Sequence, residues 1–348
     1  MTRQLKDLLW KLLGIFLTKT LKQSSKSFNL EKIKSVLIIR PDRLGDVVLS
    51  TPVYASIKKS FPNIRLTVLI KKGQKEILQS NPHIDRVIVF DPKNILRTLR
   101  ALRTERYDLA IVLNLVFSST AAAIALLSRA SWLAGYDTPQ GRKAFNLIVP
   151  RKQEALHETQ HNLDILRHLK FPIIEKTPEL FIEDRIKKEV EDLISEKLKF
   201  PNRPLVLVKP GTRVEKWGWN KENFKEIIKR LSESEEADIF IIQGPGEENL
   251  IASFSEPPES FGTILPSLSI VQLAYLIKRS NLLVCNHTGI MHLASAVQTP
   301  ALVIFKHGEI SRWGPVGNRH IILEERNGDN LSPNTVIENI RNLLLPKL

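Results

Sequence analysis

Two short segments carry residues whose types and spacing suit chemistry on a charged substrate. In "IIRPDRLGDVVLSTP", residues 38–52, an apolar run ends at Arg40, a loop turns at Gly45 and a helix is expected from about Asp46. Gly45 lets backbone approach a ligand closely. Asp46 then stands at the helix N-terminus, at the carboxyl edge of a strand, where it is either part of a ligand site or a plain helix cap. In "CNHTGIMHLASA", residues 285–296, a strand runs through the turn at Thr288 and Gly289 into a helix. The free N–H groups and positive dipole end of such a helix make an anion site. His287 stands ahead of that turn, and His292, one turn inside the helix, is either a ligand contact or a core histidine. Between these segments, "KPGTRVEKWGW" brings Lys209, Thr212, Arg213 and Lys216 after a strand, where the cations could clamp a diphosphate. Glu247 and Glu248 follow a Gly-Pro-Gly loop and could hold ribose hydroxyls. For each of these charges a solvated loop is the alternative.

A competing pattern is "HETQH", His157 to His161. Histidines at i and i+4 can share one zinc, with Glu158 as base. The surrounding strand–helix alternation is unlike a zinc protease, so no metal or other cofactor is expected.

The elements that must position these residues alternate from Ser35 onward. "SVLIIR", "RLTVLI", "DRVIVF" and "DLAIVLNLV" read as strands separated by helices, the signature of a doubly wound parallel sheet. The uncharged stretch 110–128 approaches transmembrane length, but Asn114, Ser118, Ser119 and Thr120 interrupt it. It reads as a strand to about Val116 and a helix from about Ser118. Prolines 172, 178, 201 and 204 bracket a charged helix, and the alternation restarts with "PLVLVKPGTR". The echo between "VLIIRPDR" and "LVLVKPGTR" suggests two similar halves. The expected organisation is residues 1–30 as a basic amphipathic helix, 31–175 as a first domain and 176–348 as a second, whose last helix packs back on the first. In 1–30, leucines at helical spacing oppose lysines and arginines, which suits either a membrane interface or packing on the chain's own domain.

Composition bounds the function. The 348 residues carry a net charge of +14, which favours anionic partners. Nucleic acid is not expected as a partner, because no recognition helix or aromatic platform accompanies the charge. The single cysteine, Cys285, rules out an internal disulfide and fits a reducing, cytoplasmic compartment. No secretory signal is visible. Arg97, Arg100, Arg103 and Arg106 recur every third residue along one expected helix and, with Lys71 and Lys72, either meet phosphates of a substrate or lipid headgroups or form a solvated basic face.

Taken in order, these segments resemble glycosyltransferase family 9, the lipopolysaccharide heptosyltransferases. The resemblance runs from "RPDRLGDVVLSTPVYASIKKSFP" through "NPHIDRVIVFD", "KPGTRVEKWGWNKENF" and "GPGEE" to "NHTGIMHLASAVQTPALVIF" and "RWGP". It implies an α/β GT-B fold: two Rossmann-like doubly wound parallel-sheet domains facing a cleft. It implies an inverting, metal-independent transfer of heptose from a nucleotide-sugar donor, typically ADP-heptose, to a lipid A–core saccharide at the cytoplasmic face of the inner membrane. Asp46 would be the general base and Lys216 the diphosphate contact. Thr288 and Gly289 would supply phosphate-binding amides, and Glu247 or Glu248 the ribose acid. Lys209, Thr212, Arg213, His287 and His292 complete the expected donor set. Arg40, Arg43, Lys71, Lys72, Arg97 and Arg100 form the acceptor set. One departure stands out: the family's usual Asp ahead of Thr-Gly is His287 here. His287 is expected as a neutral ring, because of the helix dipole, that donates a hydrogen bond to the donor. A sugar-nucleotide epimerase of similar fold and a catalytically silent surface-binding protein are the other classes considered.

Overall fold

The computed structural model describes residues 27–152, 154–254, 262–317, 319–325 and 330–345. Most of the expected surface helix, residues 1–26, lies outside the described residues. The chain divides into two compact units at the Lys176–Thr177 junction.

In the first unit the elements are β1 (Ser35–Arg40), α1 (Leu44–Val48), α2 (Thr51–Ser60), β2 (Arg65–Lys71), α3 (Lys75–Leu78), β3 (Arg86–Phe90), α4 (Ile95–Arg103), β4 (Leu109–Val112), α5 (Ser119–Leu127), β5 (Trp132–Tyr136), α6 (Gly141–Ala144), β6 (Leu147–Val149) and α7 (Glu158–His168). The strands form one parallel sheet in the order β3-β2-β1-β4-β5-β6. A fully parallel sheet is covered on both faces, which is why β1 reads as an unbroken apolar run and is buried from Val36 to Arg40.

The second unit holds α8 (Asp184–Lys197), β7 (Leu205–Lys209), a 3-10 turn (Glu215–Trp217), α9 (Lys221–Glu233), β8 (Asp238–Ile241), α10 (Glu248–Ala252), β9 (Thr263–Ile264), α11 (Ile270–Arg279), β10 (Leu282–Asn286), α12 (Ile290–Val297), β11 (Ala301–Phe305), α13 (Ile310–Trp313), β12 (His320–Glu324) and α14 (Pro333–Leu344). Its order is β12-β11-β10-β7-β8-β9, all parallel. Counted within each unit, both sheets therefore follow 3-2-1-4-5-6. The chain direction across the sheet reverses between β1 and β4, and again between β7 and β10. Ligands in such sheets bind outside the carboxyl ends at that reversal.

Several expectations need correction. β4 stops at Val112 rather than Val116, because its neighbour β1 ends at Arg40 and Leu113 N makes the final bond to Ile39 O, at 3.5 Å. Ser118 then caps α5, accepting from Ala121 N at 3.3 Å, so the uncharged stretch is a strand, a loop and a buried helix. Among the described residues no helix is long and apolar enough to cross a membrane. Arg106 lies beyond α4, which ends at Arg103. The last helix, α14, contributes Val336, Ile337 and Ile340 to the second unit's core, beside Phe224, Ile227 and Ile228 of α9.

Candidate active site

At the carboxyl edge of the first sheet the chain leaves β1 through Pro41, Asp42 and Arg43 and enters α1. Asp46 occupies the third position of that helix, not its start, and its Oδ2 accepts from the Arg43 backbone N–H at 3.1 Å. Its other oxygen, Oδ1, lies 3.1 Å from Nη2 of Arg40. The same Nη2 reaches Glu158 Oε1 at 2.7 Å, and Arg40 Nε lies 3.4 Å from Asp42 Oδ2. One guanidinium, 1% exposed, thus gathers three carboxylates. Burial opposes the Arg40 charge, but the three carboxylates outweigh it and raise its pKa, so it stays charged throughout. Arg40 is therefore not an acceptor contact as expected; it is a buried post that positions Asp46.

Burial raises the pKa of Asp46 above the ordinary aspartate value. Arg40 pulls it down, and the charges of Asp42 and Glu158 push it up again. A carboxylate with some side-chain surface left, 15%, and a raised proton affinity is suited to take a proton from a hydroxyl. The loop that carries it is braced: Gln74 Nε2 donates to Asp42 O and Asn114 Nδ2 to Asp42 Oδ2, both at 2.8 Å. The "HETQH" pattern is absorbed here. His157 caps α7 through Nδ1, which accepts from Thr159 N at 3.2 Å, and Glu158 turns to Arg40.

The second sheet presents a different edge. Lys209 Nζ donates to both oxygens of Glu247, at 2.7 and 2.9 Å, and to Gly211 O at 2.9 Å. Glu247 also accepts from Gly244 N at 2.7 Å. A Cβ on Gly211 would stand 2.1 Å from Glu247 Cδ, and one on Gly244 2.9 Å, so two glycines make room for this carboxylate. Lys209 and Glu247 therefore spend their charges on each other. Thr212 Oγ1 closes its own turn on Val214 O at 2.6 Å. Arg213, Lys216 and Glu248 are exposed. α12 opens at Gly289, which brings no side-chain cap, and Thr288 Oγ1 is buried without a hydrogen bond. His292 is buried inside α12.

His287 stacks on Phe305, with centroids 4.1 Å apart, and its Nδ1 lies 2.8 Å from His307 O. A carbonyl only accepts, so Nδ1 carries the proton. Burial lowers the His287 pKa. The ring is neutral near pH 7 as expected, with burial rather than the helix dipole as the leading cause. Its one proton is already used, so Nε2 is left as an acceptor, not the donor expected.

The remaining expected residues are dispersed. Arg43 is exposed beside Asp46, while Lys71 and Lys72 leave β2, and Arg97 and Arg100 lie on α4, all exposed. Sequence reasoning missed the Arg40–Glu158 pair, because partners 118 residues apart leave no local pattern. It also missed Asn286, fully buried, which donates to Pro210 O at 2.6 Å and accepts from Trp219 N at 2.9 Å, tying β10 to the loop after β7. A polar residue closing the apolar run "LLVC" was the available signal.

Known proteins share this two-sheet architecture. The profile of glycosyltransferase family 9 (heptosyltransferase) matches residues 95–340. Lipopolysaccharide heptosyltransferase 3 of Escherichia coli is 24% identical, covering 80% of this chain and 85% of its own. A crystal structure of a family 9 glycosyl transferase from Veillonella parvula aligns with a TM-score of 0.81 at 19% identity, over 89% of this chain and 97% of that one. Heptosyltransferase WaaC of E. coli, solved with ADP-2-deoxy-2-fluoro heptose, aligns with a TM-score of 0.70 at 18% identity, over 88% and 99%. The two parallel α/β sheets are those of the GT-B fold.

Proposed function

The chain belongs to glycosyltransferase family 9, and from that premise we propose that it transfers heptose from ADP-heptose to a lipid A–core saccharide, with inversion and without a metal. The first unit binds the acceptor and the second the donor, at the cytoplasmic face of the inner membrane. The observation that carries this reading is Asp46, held at the first chain reversal by Arg40 and by the Arg43 amide, with part of its carboxylate open.

Asp46 takes the proton of the acceptor hydroxyl as its oxygen bonds to the anomeric carbon. The bond from that carbon to the diphosphate breaks on the opposite face, and ADP leaves with the electron pair. Arg213 and Lys216, with the amides at Thr288 and Gly289, receive the growing negative charge, the largest single source of rate in such sites. Glu247 or Glu248 holds the ribose, and Nε2 of His287 accepts from a sugar hydroxyl. The epimerase and the silent binding protein lose ground, since neither accounts for family membership together with a poised base. A panel of ADP-, GDP- and UDP-sugars, with and without a deacylated core acceptor, tests the reading. ADP-heptose should give an inverted glycoside only when acceptor is present. Donor epimerised without acceptor, or no transfer from any ADP-sugar, would overturn it.

A further inference from the structure

Six large apolar side chains stand exposed among the described residues, and three of them share the carboxyl edge of the first sheet. Ile95 and Leu96, 52% and 69% exposed, form the first turn of α4, and Val116, 65% exposed, lies in the loop that leaves β4. Phe90 and Phe117, half-buried against one apolar cluster, supply a floor at the same edge. Lys71 and Lys72 at the end of β2, Lys93 ahead of α4, and Arg97 and Arg100 on α4 are all exposed. The ion pairs found among the described residues engage none of these five cations.

Single exposed leucines need no explanation. Exposed aliphatic side chains that share a sheet edge with exposed, unpaired cations are different, because an anionic bilayer surface satisfies both at once: apolar side chains enter the acyl boundary while cations meet headgroup phosphates. The position also fits. Asp46 stands at this same carboxyl edge, so a sugar carried on a lipid would be presented on the base's side. The described chain, by contrast, enters the unit at the opposite edge, where Phe28 packs edge-on against Trp132, the first residue of β5, with centroids 5.6 Å apart.

We propose that this edge is a lipid-docking surface, in which Ile95, Leu96 and Val116 insert into an anionic phospholipid bilayer and Lys71, Lys72, Lys93, Arg97 and Arg100 bind its headgroups. It rests on the proposed function only for the identity of the lipid-borne acceptor.

The full chain allows a local test. Its one cysteine, Cys285, is fully buried, and burial pushes the thiol up to about 12, so a thiol introduced at the surface is the reactive one. An environment-sensitive fluorophore on Leu96→Cys reports this edge, and one on Asn63→Cys, an exposed position before β2, reports the opposite edge. With mixed phosphatidylglycerol–phosphatidylcholine vesicles the Leu96 probe should shift to the blue and be quenched by brominated acyl chains. The effect should fade with added salt and on pure phosphatidylcholine, and the Asn63 probe should stay aqueous. The triple variant Ile95→Ser, Leu96→Ser, Val116→Ser should bind the anionic vesicles about tenfold or more weakly, with unchanged transfer to a deacylated, soluble acceptor. A Leu96 probe that stays aqueous on bound vesicles overturns the proposal, as does a full chain that binds no vesicles. So does a Leu96 probe already in an apolar setting without lipid, which would mean that the chain's own residues 1–26 cover the edge. Loss of soluble transfer in the unsubstituted chain would sink the enzymatic reading instead, and leave the vesicle result to stand by itself.

Discussion

At the edge of the first sheet a buried arginine gathers three carboxylates; at the edge of the second a lysine is closed off by one, and the accessible cations stand on the loop beyond it. The strand order is the same in both units. The difference lies in the residues that meet the end of each unit's first strand: Asp42, Asp46 and Glu158 of α7 at Arg40, and Glu247 from the loop after β8 at Lys209. A charge network that leaves an acid partly open, with raised proton affinity, suits proton transfer. A loop locked by Lys209 and Glu247, beside an uncapped helix start and exposed Arg213 and Lys216, suits an anion. Topology fixes where a ligand can sit, and loop chemistry decides which ligand.

This contrast can be broken by removing the central cation at each edge. Arg40→Met leaves Asp42, Asp46 and Glu158 without their partner, and should cost about 3–5 kcal/mol, as for other broken buried pairs. Lys209→Met leaves Glu247 with 12% of its side chain exposed and the Gly244 amide still in reach. It should cost only about 1–2 kcal/mol. Urea unfolding of both variants makes the comparison; equal costs would erase the distinction between the edges.

Glu158→Gln sharpens it further. The Glu158 charge helps to raise the pKa of Asp46, so its removal should lower that pKa. The base must be ionised to act, so the acid limb of kcat/KM should move to lower pH, with a modest loss of stability. A limb that stays in place would separate Asp46 from the network.

On the donor side, Gly211→Ala puts a methyl where the Glu247 carboxylate now lies, and that flexible side chain must swing away from Lys209. Donor affinity should fall about tenfold, the loss of roughly one charged hydrogen bond, and stability should fall by about the 1–2 kcal/mol expected for Lys209→Met. Titration calorimetry with ADP and with ADP-heptose would read this; unchanged affinity would take Glu247 out of the donor site.

His287 carries the smallest expected effect. His287→Asp keeps an acceptor and adds a charge near the phosphates, so donors should keep their ranking and bind a few-fold more weakly. His287→Phe keeps the packing on Phe305 but removes the acceptor, and should flatten the ranking. The reverse pattern would mean that the ring donates after all.

The doubly wound sheets, the strand ends at Arg40 and Lys209, and the turn before α12 were readable in the sequence, because apolar runs and Gly-containing turns are local signals. The pairing of Arg40 with Glu158 was not, since it depends on α7 returning to β1 across more than a hundred residues, and "HETQH", set aside as a metal site, named no partner for Glu158. Lys209 and Glu247 were read as separate ligand contacts because their bond also spans distant loops. The tautomer of His287 depends on the His307 carbonyl, which no side-chain pattern records.

The central claim is that Asp46 is a base held in place by Arg40, and Asp46→Asn tests it most directly. Ionisation of Asp46 is disfavoured in the folded chain, because its pKa is raised. Any stability it contributes is present below its unfolded pKa and is lost as pH rises through the folded value. At neutral pH the Asn variant should therefore melt no lower than the parent chain, and its affinity for ADP should be unchanged. Transfer from ADP-heptose should fall by about 10²–10⁴, the worth of a positioned general base. Turnover within a few-fold of the parent, with donor affinity intact, would contradict the account and leave Asp46 as a helix-capping residue.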